Sequence, residues 1–260
     1  MGIQLQPSLK ALQIERHQLA RCRWAFGLFW AGFVVQLLPL FFLAEEPVIP
    51  DPEEENRPIT VTTVLMQQAV FLVPYMSLTA VGAVLNIIVG RTNRWRQAAW
   101  LLLATLLAEL VFAVIGLVAM GPSFIPAQGE PLLTRIAFHA VEITLPLSWW
   151  WIVVILGEFA SACRETILLG QAEKVGYGVL ASLAALFMYI GWTLPSPIPS
   201  EDDTTLFLKA FSALLQLIVF FWLLFPLSRA YMVSTLLMVR IDEVKRVVID
   251  RQKDESESSE

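Results

Sequence analysis

The sequence predicts an all-α integral membrane protein, a six-transmembrane-helix bundle with both termini in the cytoplasm. Three features predict it: an apolar composition, six apolar runs of membrane-spanning length, and basic residues confined to alternate connections. Hydrophobic residues make up 57% of the 260 and charged residues 16%, with a mean hydropathy of +0.64. Soluble domains carry about 25% charged residues. A helical run of about twenty apolar residues is long enough to cross a hydrocarbon core about 30 Å thick.

The first apolar run follows a polar segment, residues 1–23. Leucines, an isoleucine and basic residues occur there at near-helical spacing. This is typical of a cytoplasmic amphipathic helix on an anionic leaflet, and a solvated helical tail fits the same pattern. We interpret Trp24–Ala44 as the first span. It is too long for the apolar part of a signal peptide, and Phe42 stands where cleavage after Ala44 would require a small residue. An uncleaved anchor is therefore predicted.

The remaining spans are similar in length and apolar character. Their predicted bounds are, in chain order, about Val64–Val89, Ala98–Ala119, Ala137–Gly157, Val175–Leu194 and Leu206–Pro226. The helix of the fourth span is expected to continue to Leu169, and that of the sixth to about Arg251. The transmembrane domain thus covers residues 24–226, and residues 227–260 form a cytoplasmic helix with a disordered acidic tail. The acidic, proline-rich loop at residues 45–58 is expected to be poorly ordered.

The basic residues predict the orientation. Fifteen of the 18 Lys and Arg residues lie in the N-terminal segment, the second and fourth connections and the C-terminal segment. The opposite side holds only Arg57, Arg135 and Lys209. The positive-inside rule therefore places both termini in the cytoplasm, in a cell (inner) membrane crossed by the chain six times.

Polar residues at mid-depth are the first candidates for function. Glu109 lies eleven residues into the third span, so roughly 15 Å deep. A charged carboxylate at that depth costs on the order of 3 kcal/mol. Gln216 lies at the same depth, and Gln36 and Thr79 lie within about a turn of it. These four residues either form a proton- or ion-responsive site, with Glu109 titrating, or serve as interhelical hydrogen-bonding groups, which is the reading the sequence favours.

His139 and Glu142 are three residues apart and therefore share a helical face near the outer surface. An HxxE pair can hold a metal ion or lie on a proton path. Two ligands do not make a metal site, and no third is evident in the sequence. The pattern favours a structural polar pair at the outer leaflet, because polar groups are tolerated near headgroups.

Trp149, Trp150 and Trp151 lie past the middle of the fourth span, although tryptophan prefers the membrane interface. Such a group offers stacking contacts to a lipophilic ligand such as a quinone. Three consecutive residues fan over about 200° of a helix, so they cannot all face one partner. Bulky packing between helices is the favoured interpretation.

A shift of 107 residues aligns Leu38–Leu40 with Leu145–Leu147, and Glu109 with Gln216. Spans one to three would then correspond to spans four to six, in inverted orientation. Inverted repeats with polar groups at the midplane are typical of transporters. Leucine matches arise easily by chance, so this repeat is a hypothesis.

The sequence favours a non-enzymatic role, because it contains no GxSxG, HExxH or phosphate-binding loop. The two cysteines and two histidines predict no disulfide framework, metal site or haem, and no cofactor is expected. The first hypothesis is an accessory or assembly subunit that binds other membrane proteins or a second copy. The alternatives are a small proton-coupled carrier and a binder of a lipophilic cofactor. The expected partners are the lipid bilayer and membrane proteins, not nucleic acid.

Overall fold

The computed structural model describes residues 16–42, 59–120, 123–124, 132–194 and 203–257. Within these ranges the chain forms six α-helices and one pair of short β-strands. Residues 1–15 of the predicted amphipathic segment, the predicted loop at 45–58 and the last three residues of the predicted tail lie outside the described residues. The predicted all-α class is confirmed.

Where the structure describes the residues between two consecutive elements, the connection between them is short. In chain order they are α1 (Arg16–Phe42), β1 (Ile59–Thr60), α2 (Val61–Val89), α3 (Asn93–Met120), β2 (Ser123–Phe124), α4 (Leu132–Cys163), α5 (Thr166–Thr193) and α6 (Asp203–Glu257). Helices α2 to α6 are long and apolar enough to cross a membrane. Helix α1 does not meet the same criterion over its described part, which begins with Arg16, Arg21 and Arg23. The first predicted span, Trp24–Ala44, therefore stays a prediction.

The six helices form a closed ring. Each helix packs against its neighbours in the chain, α1 packs against α6, and α4 also reaches α6. Aromatic rings fill the centre: Phe26 lies 4.8 Å from Phe159, and Phe33 lies 5.0 Å from Phe220, measured between ring centroids. Because large aromatic side chains bury extensive apolar area and attract one another edge to face, they hold α1, α4 and α6 together across the ring.

The contact between α1 and α2 depends on a glycine. A Cβ atom added at Gly82 would lie 2.6 Å from Cε1 of Phe29 and 3.1 Å from the carbonyl oxygen of Ala25. Phe29 is itself fully buried, so its ring has little room to move away. Small residues let helix backbones approach closely, and Gly82 permits such an approach here.

The connection between α4 and α5 is a tight turn. The expectation that the fourth helix continues to Leu169 is wrong, because α4 ends at Cys163 and α5 begins at Thr166. Arg164 adopts a left-handed conformation with φ of 55°, and Glu165 is extended, with φ of −93° and ψ of 91°. The turn is closed by the Glu165 amide, which donates to the Ala160 carbonyl at 2.8 Å.

Helix α6 is a single helix of 55 residues that passes through Pro226. At 1.5 Å per residue it is about 80 Å long, more than twice the thickness of a hydrocarbon core. The predicted continuation of the sixth helix to about Arg251 is confirmed, and the helix reaches Glu257, within the acidic tail that was expected to be disordered.

Charged and polar side chains join four segments at one end of the ring. These segments are the start of α1, the α2–α3 turn, the α4–α5 turn and the second half of α6. The contacts are Arg16 with Asp242 at 2.6 Å, Arg91 with Gln18 at 3.1 Å, Thr92 with Glu158 at 2.6 Å and Arg229 with Glu165 at 2.6 Å. At the other end β1 pairs antiparallel with β2, and the Trp192 indole donates to Thr205 at 3.2 Å. We call the end that carries the four contacts of charged side chains the charged end.

Candidate functional site

A line of buried polar side chains follows one face of α2. Tyr75, Thr79 and Asn86 are spaced by four and seven residues, and all three are 0% exposed. That spacing puts them on a single helical face. The face is turned into the ring, so the partners that Tyr75 and Asn86 find lie on other helices or on α2 itself.

The Tyr75 hydroxyl lies at the centre of the polar layer. It is 3.2 Å from the Ser148 hydroxyl, which donates its own proton to the Leu145 carbonyl at 2.7 Å. Tyr75 is therefore the donor to Ser148. The Thr79 and Gln36 side chains lie near the Tyr75 hydroxyl, but neither Oγ1 of Thr79 nor Oε1 of Gln36 forms a hydrogen bond with it. The Glu109 carboxyl is close enough to act on the hydroxyl electrostatically. The layer thus combines groups from α1, α2, α3 and α4.

Three buried oxygen atoms in this layer lack a hydrogen-bond partner within the described part of the chain. Oε2 of Glu109, Oε1 of Gln36 and Oγ1 of Thr79 are buried and make no hydrogen bond with any described residue. The Glu109 side chain is only 2% exposed. A buried polar atom without a hydrogen bond costs about 1–3 kcal/mol, and a buried charge without a partner costs more. The layer therefore holds three polar atoms whose hydrogen-bonding capacity is not met by the described residues.

Of the four residues predicted to converge, the structure brings together Gln36, Thr79 and Glu109. Gln216 lies on α6, where its amide is 3.5 Å from the Ser212 hydroxyl one turn earlier on the same helix. Among the described residues Gln216 does not contact Glu109, because α6 packs mainly against α1 and α5, whereas Glu109 is on α3. The sequence prediction missed Tyr75 and Ser148. Tyr75 stands one turn before Thr79, and that spacing was the only clue to it.

Polar groups continue from this layer toward the charged end. The Trp95 indole donates to the Asn86 side-chain oxygen at 3.1 Å, and the Asn86 amide donates to the Gly82 carbonyl at 2.8 Å. Beyond them, the Thr92 hydroxyl donates to Glu158 at 2.6 Å. The interface of α2, α3 and α4 therefore carries hydrogen-bonding side chains from the middle of the ring to its charged end.

The His139 and Glu142 pair lies toward the opposite end of α4. Nδ1 of His139 is 2.9 Å from the Glu142 carboxylate, and the imidazole ring also packs edge-on against Tyr189. No group of three His, Cys, Asp or Glu side chains suited to a metal ion occurs among the described residues. The pair is in direct contact, and its role stays a prediction.

Each of the three consecutive tryptophans contacts a different set of neighbours. Trp149 is buried against Phe33 and Phe220, Trp150 lies beside Gly176 of α5, and the Trp151 indole donates to Thr105 of α3 at 3.1 Å. They do not form a common surface on which one ligand would stack. Their geometry is that of packing between helices.

Comparison with protein-family profiles, with curated protein sequences and with solved structures gives no match for this chain. Five of its described helices are long and apolar enough to cross a membrane, so the chain is a multi-pass membrane protein whose helical bundle contacts the lipid bilayer.

Proposed function

We propose that the chain is a six-span protein of the cell (inner) membrane, with both termini in the cytoplasm, and that it acts as a proton-coupled carrier through Glu109. The orientation is supported by the segregation of basic residues and by the contacts that join the basic segments at the charged end. With the charged end at the cytoplasm, the Tyr75 layer lies inside the membrane.

The observation that carries the proposal is that Oε2 of the buried Glu109 carboxyl has no hydrogen-bond partner among the described residues. A glutamate kept for packing alone is expected to hydrogen-bond across helices, because this bond is what favours the packing. The bonds to Gln36 or Gln216 that such a role requires are not formed among the described residues. Ionisable groups inside a membrane that face other helices commonly mark proton relays.

The surroundings of Glu109 offer a route for a proton. Tyr75, Thr79 and Gln36 lie within the same layer. Asn86 and Trp95 lie between this layer and Thr92 with Glu158 at the charged end, where they can orient neighbouring groups but cannot take up the proton themselves. His139 with Glu142 lies toward the other end. In this proposal Glu109 accepts and releases the proton, the neighbouring hydroxyl groups pass it, and the amide groups orient those hydroxyls.

The experiment is a proton-flux measurement in liposomes. The full chain is reconstituted, a potassium diffusion potential is imposed with valinomycin, and a trapped pH-sensitive dye reports internal pH. We expect protein-dependent proton flux. Glu109→Gln should abolish it, because an amide side chain does not bind and release a proton near neutral pH. The matched control is Glu173→Gln, which removes an exposed carboxyl on α5 and should leave the flux unchanged. Gel filtration checks that both variants fold.

Two results would count against this function. Folded Glu109→Gln that conducts protons like the unaltered chain would make the carboxyl a structural group. An absence of protein-dependent flux in the unaltered chain would contradict proton movement through Glu109 alone.

A second candidate function is that of an accessory or assembly subunit, and the length of α6 favours it. The helix continues past the charged end and carries exposed apolar side chains at Val244 and Val247. A helix that extends beyond its own bundle offers a surface to a partner. Chemical cross-linking in native membranes should then capture a partner through α6, and a chain ending at residue 243 should lose that partner while remaining folded. Retention of the partner by this shortened chain would contradict the idea.

A further inference from the structure

A groove lies on the outside of the ring between α1 and α6, with a volume of about 570 Å³. Pockets of roughly 300–1,000 Å³ are typical of small-ligand sites. The groove is lined largely by small and aromatic residues, among them Trp24, Gly27, Trp30, Ala31 and Tyr231. Gly27 and Ala31 are one helical turn apart, so they leave a shallow trough along α1. Trp24 is 62% exposed at its edge.

Arg23 lines the same groove. The guanidinium groups of Arg16, Arg94 and Arg229 each contact a carboxylate, whereas that of Arg23 forms no ion pair with any described residue. Arg23 is half-buried. A partly desolvated cation beside apolar surface is stabilised by an anion, and guanidinium groups bind phosphate through two parallel hydrogen bonds.

We infer that this groove binds an anionic phospholipid. The phosphate of the headgroup contacts the Arg23 guanidinium, and one acyl chain lies along Gly27 and Ala31 between Trp30 and Tyr231. The charge of Arg23 selects a lipid over a second apolar helix, which would cover the guanidinium without neutralising it. Basic pockets between membrane helices commonly hold anionic headgroups, and tryptophans mark the headgroup level. The inference does not depend on Glu109.

The test is lipid binding to the full chain, measured by native mass spectrometry in mild detergent. Phosphatidylglycerol and phosphatidylcholine with the same acyl chains serve as probes. We expect the anionic lipid to remain bound and the zwitterionic lipid to bind more weakly. Arg23→Gln should bind phosphatidylglycerol about tenfold more weakly, the loss expected for one hydrogen bond to a charged group. Ala31→Phe, which fills the trough, should reduce binding of both lipids.

The matched control is Arg21→Gln. Arg21 is exposed, lies on the same helix and does not line the groove, so its loss should leave binding unchanged. Equal binding by the two glutamine variants, or equal binding of the two lipids, would overturn the inference. Displacement of the lipid by millimolar inorganic phosphate would assign the site to free phosphate. A dimer that Ala31→Phe dissociates would assign the groove to a second copy, and either of these results would also overturn the inference.

Discussion

At the residue scale, burial decides what the charged side chains contribute. Arg229 and Glu165 are 21% and 9% exposed and lie 2.6 Å apart, whereas Arg94 is 76% exposed and lies 3.6 Å from Glu158. Removing one partner of a buried ion pair leaves the other charge without compensation, but an exposed charge regains water. The two arginines therefore differ in importance although both belong to the charged end.

Arg229→Gln should lower the free energy of unfolding by about 3 kcal/mol, because Glu165 would be left buried and unpaired. Arg94→Gln should lower it by less than about 1 kcal/mol, as is usual for exposed pairs. Reversible unfolding in mixed micelles with increasing SDS measures both values. Equal losses of unfolding free energy in the two variants would show that the buried ion pair does not contribute more to stability than the exposed one.

The residues of the polar layer show how far sequence reasoning reaches at this scale. Counting residues from the start of a span gives depth, which is why Gln36, Thr79 and Glu109 were predicted together. Depth does not give the direction in which a helix faces, so Gln216 was predicted at the same level, whereas α6 turns it toward Ser212. Tyr75 and Ser148 were missed because tyrosine and serine are tolerated at many positions in a membrane helix and do not stand out.

At the element scale, close packing of α1 and α2 depends on the missing side chain at Gly82. The space that a Cβ atom would need is taken by the buried ring of Phe29 and the carbonyl oxygen of Ala25. Gly191, on α5, offers the contrast, because a Cβ atom there would meet nothing within 4 Å. The same substitution should therefore have opposite consequences at the two glycines.

Gly82→Ala should cost about 1–3 kcal/mol of stability, the usual range for overpacking a helix contact. Gly191→Ala should be neutral or stabilising by up to about 1 kcal/mol, because alanine is the better helix former. Thermal unfolding in detergent, monitored by the change in tryptophan fluorescence as buried indoles become exposed, compares the stability of the two variants. A Gly82→Ala variant as stable as Gly191→Ala would mean that α1 and α2 are not held this closely.

Helix positions followed from composition, but the α4–α5 turn did not. Apolar runs bounded by Arg, Pro and Gly residues mark most helix ends, and the structure has helices at each of them. The turn at Arg164 and Glu165 contains neither glycine nor proline, and the apolar pattern continues on both sides of it. A residue with left-handed conformation after a helix is usually glycine. Because arginine occupies that position here, the sequence did not indicate that the helix ends at this point. The pairing of β1 with β2 was also missed, since two residues per strand leave no pattern.

At the scale of the whole molecule, the ring is closed by contacts between its first and last helices. Most contacts between helices join neighbours in the chain, and among the described residues the α1–α6 interface is the most extensive one between helices that are far apart in sequence. The predicted correspondence between the two halves, α1 to α3 and α4 to α6, stays a hypothesis, because only the short matches around Pro39, Pro146 and Glu109 support it. The functional proposals depend instead on how this ring is threaded through the membrane.

Cysteine accessibility in intact cells tests that threading most directly. The buried native cysteines, Cys22 and Cys163, are replaced by alanine, and single cysteines are introduced as Arg94→Cys at the charged end and Lys209→Cys near the start of α6. A membrane-impermeant maleimide added outside should label the Lys209→Cys chain at once and the Arg94→Cys chain only after permeabilisation. Labelling of both positions from the same side would contradict the six-span arrangement and remove the basis for a proton site at Glu109.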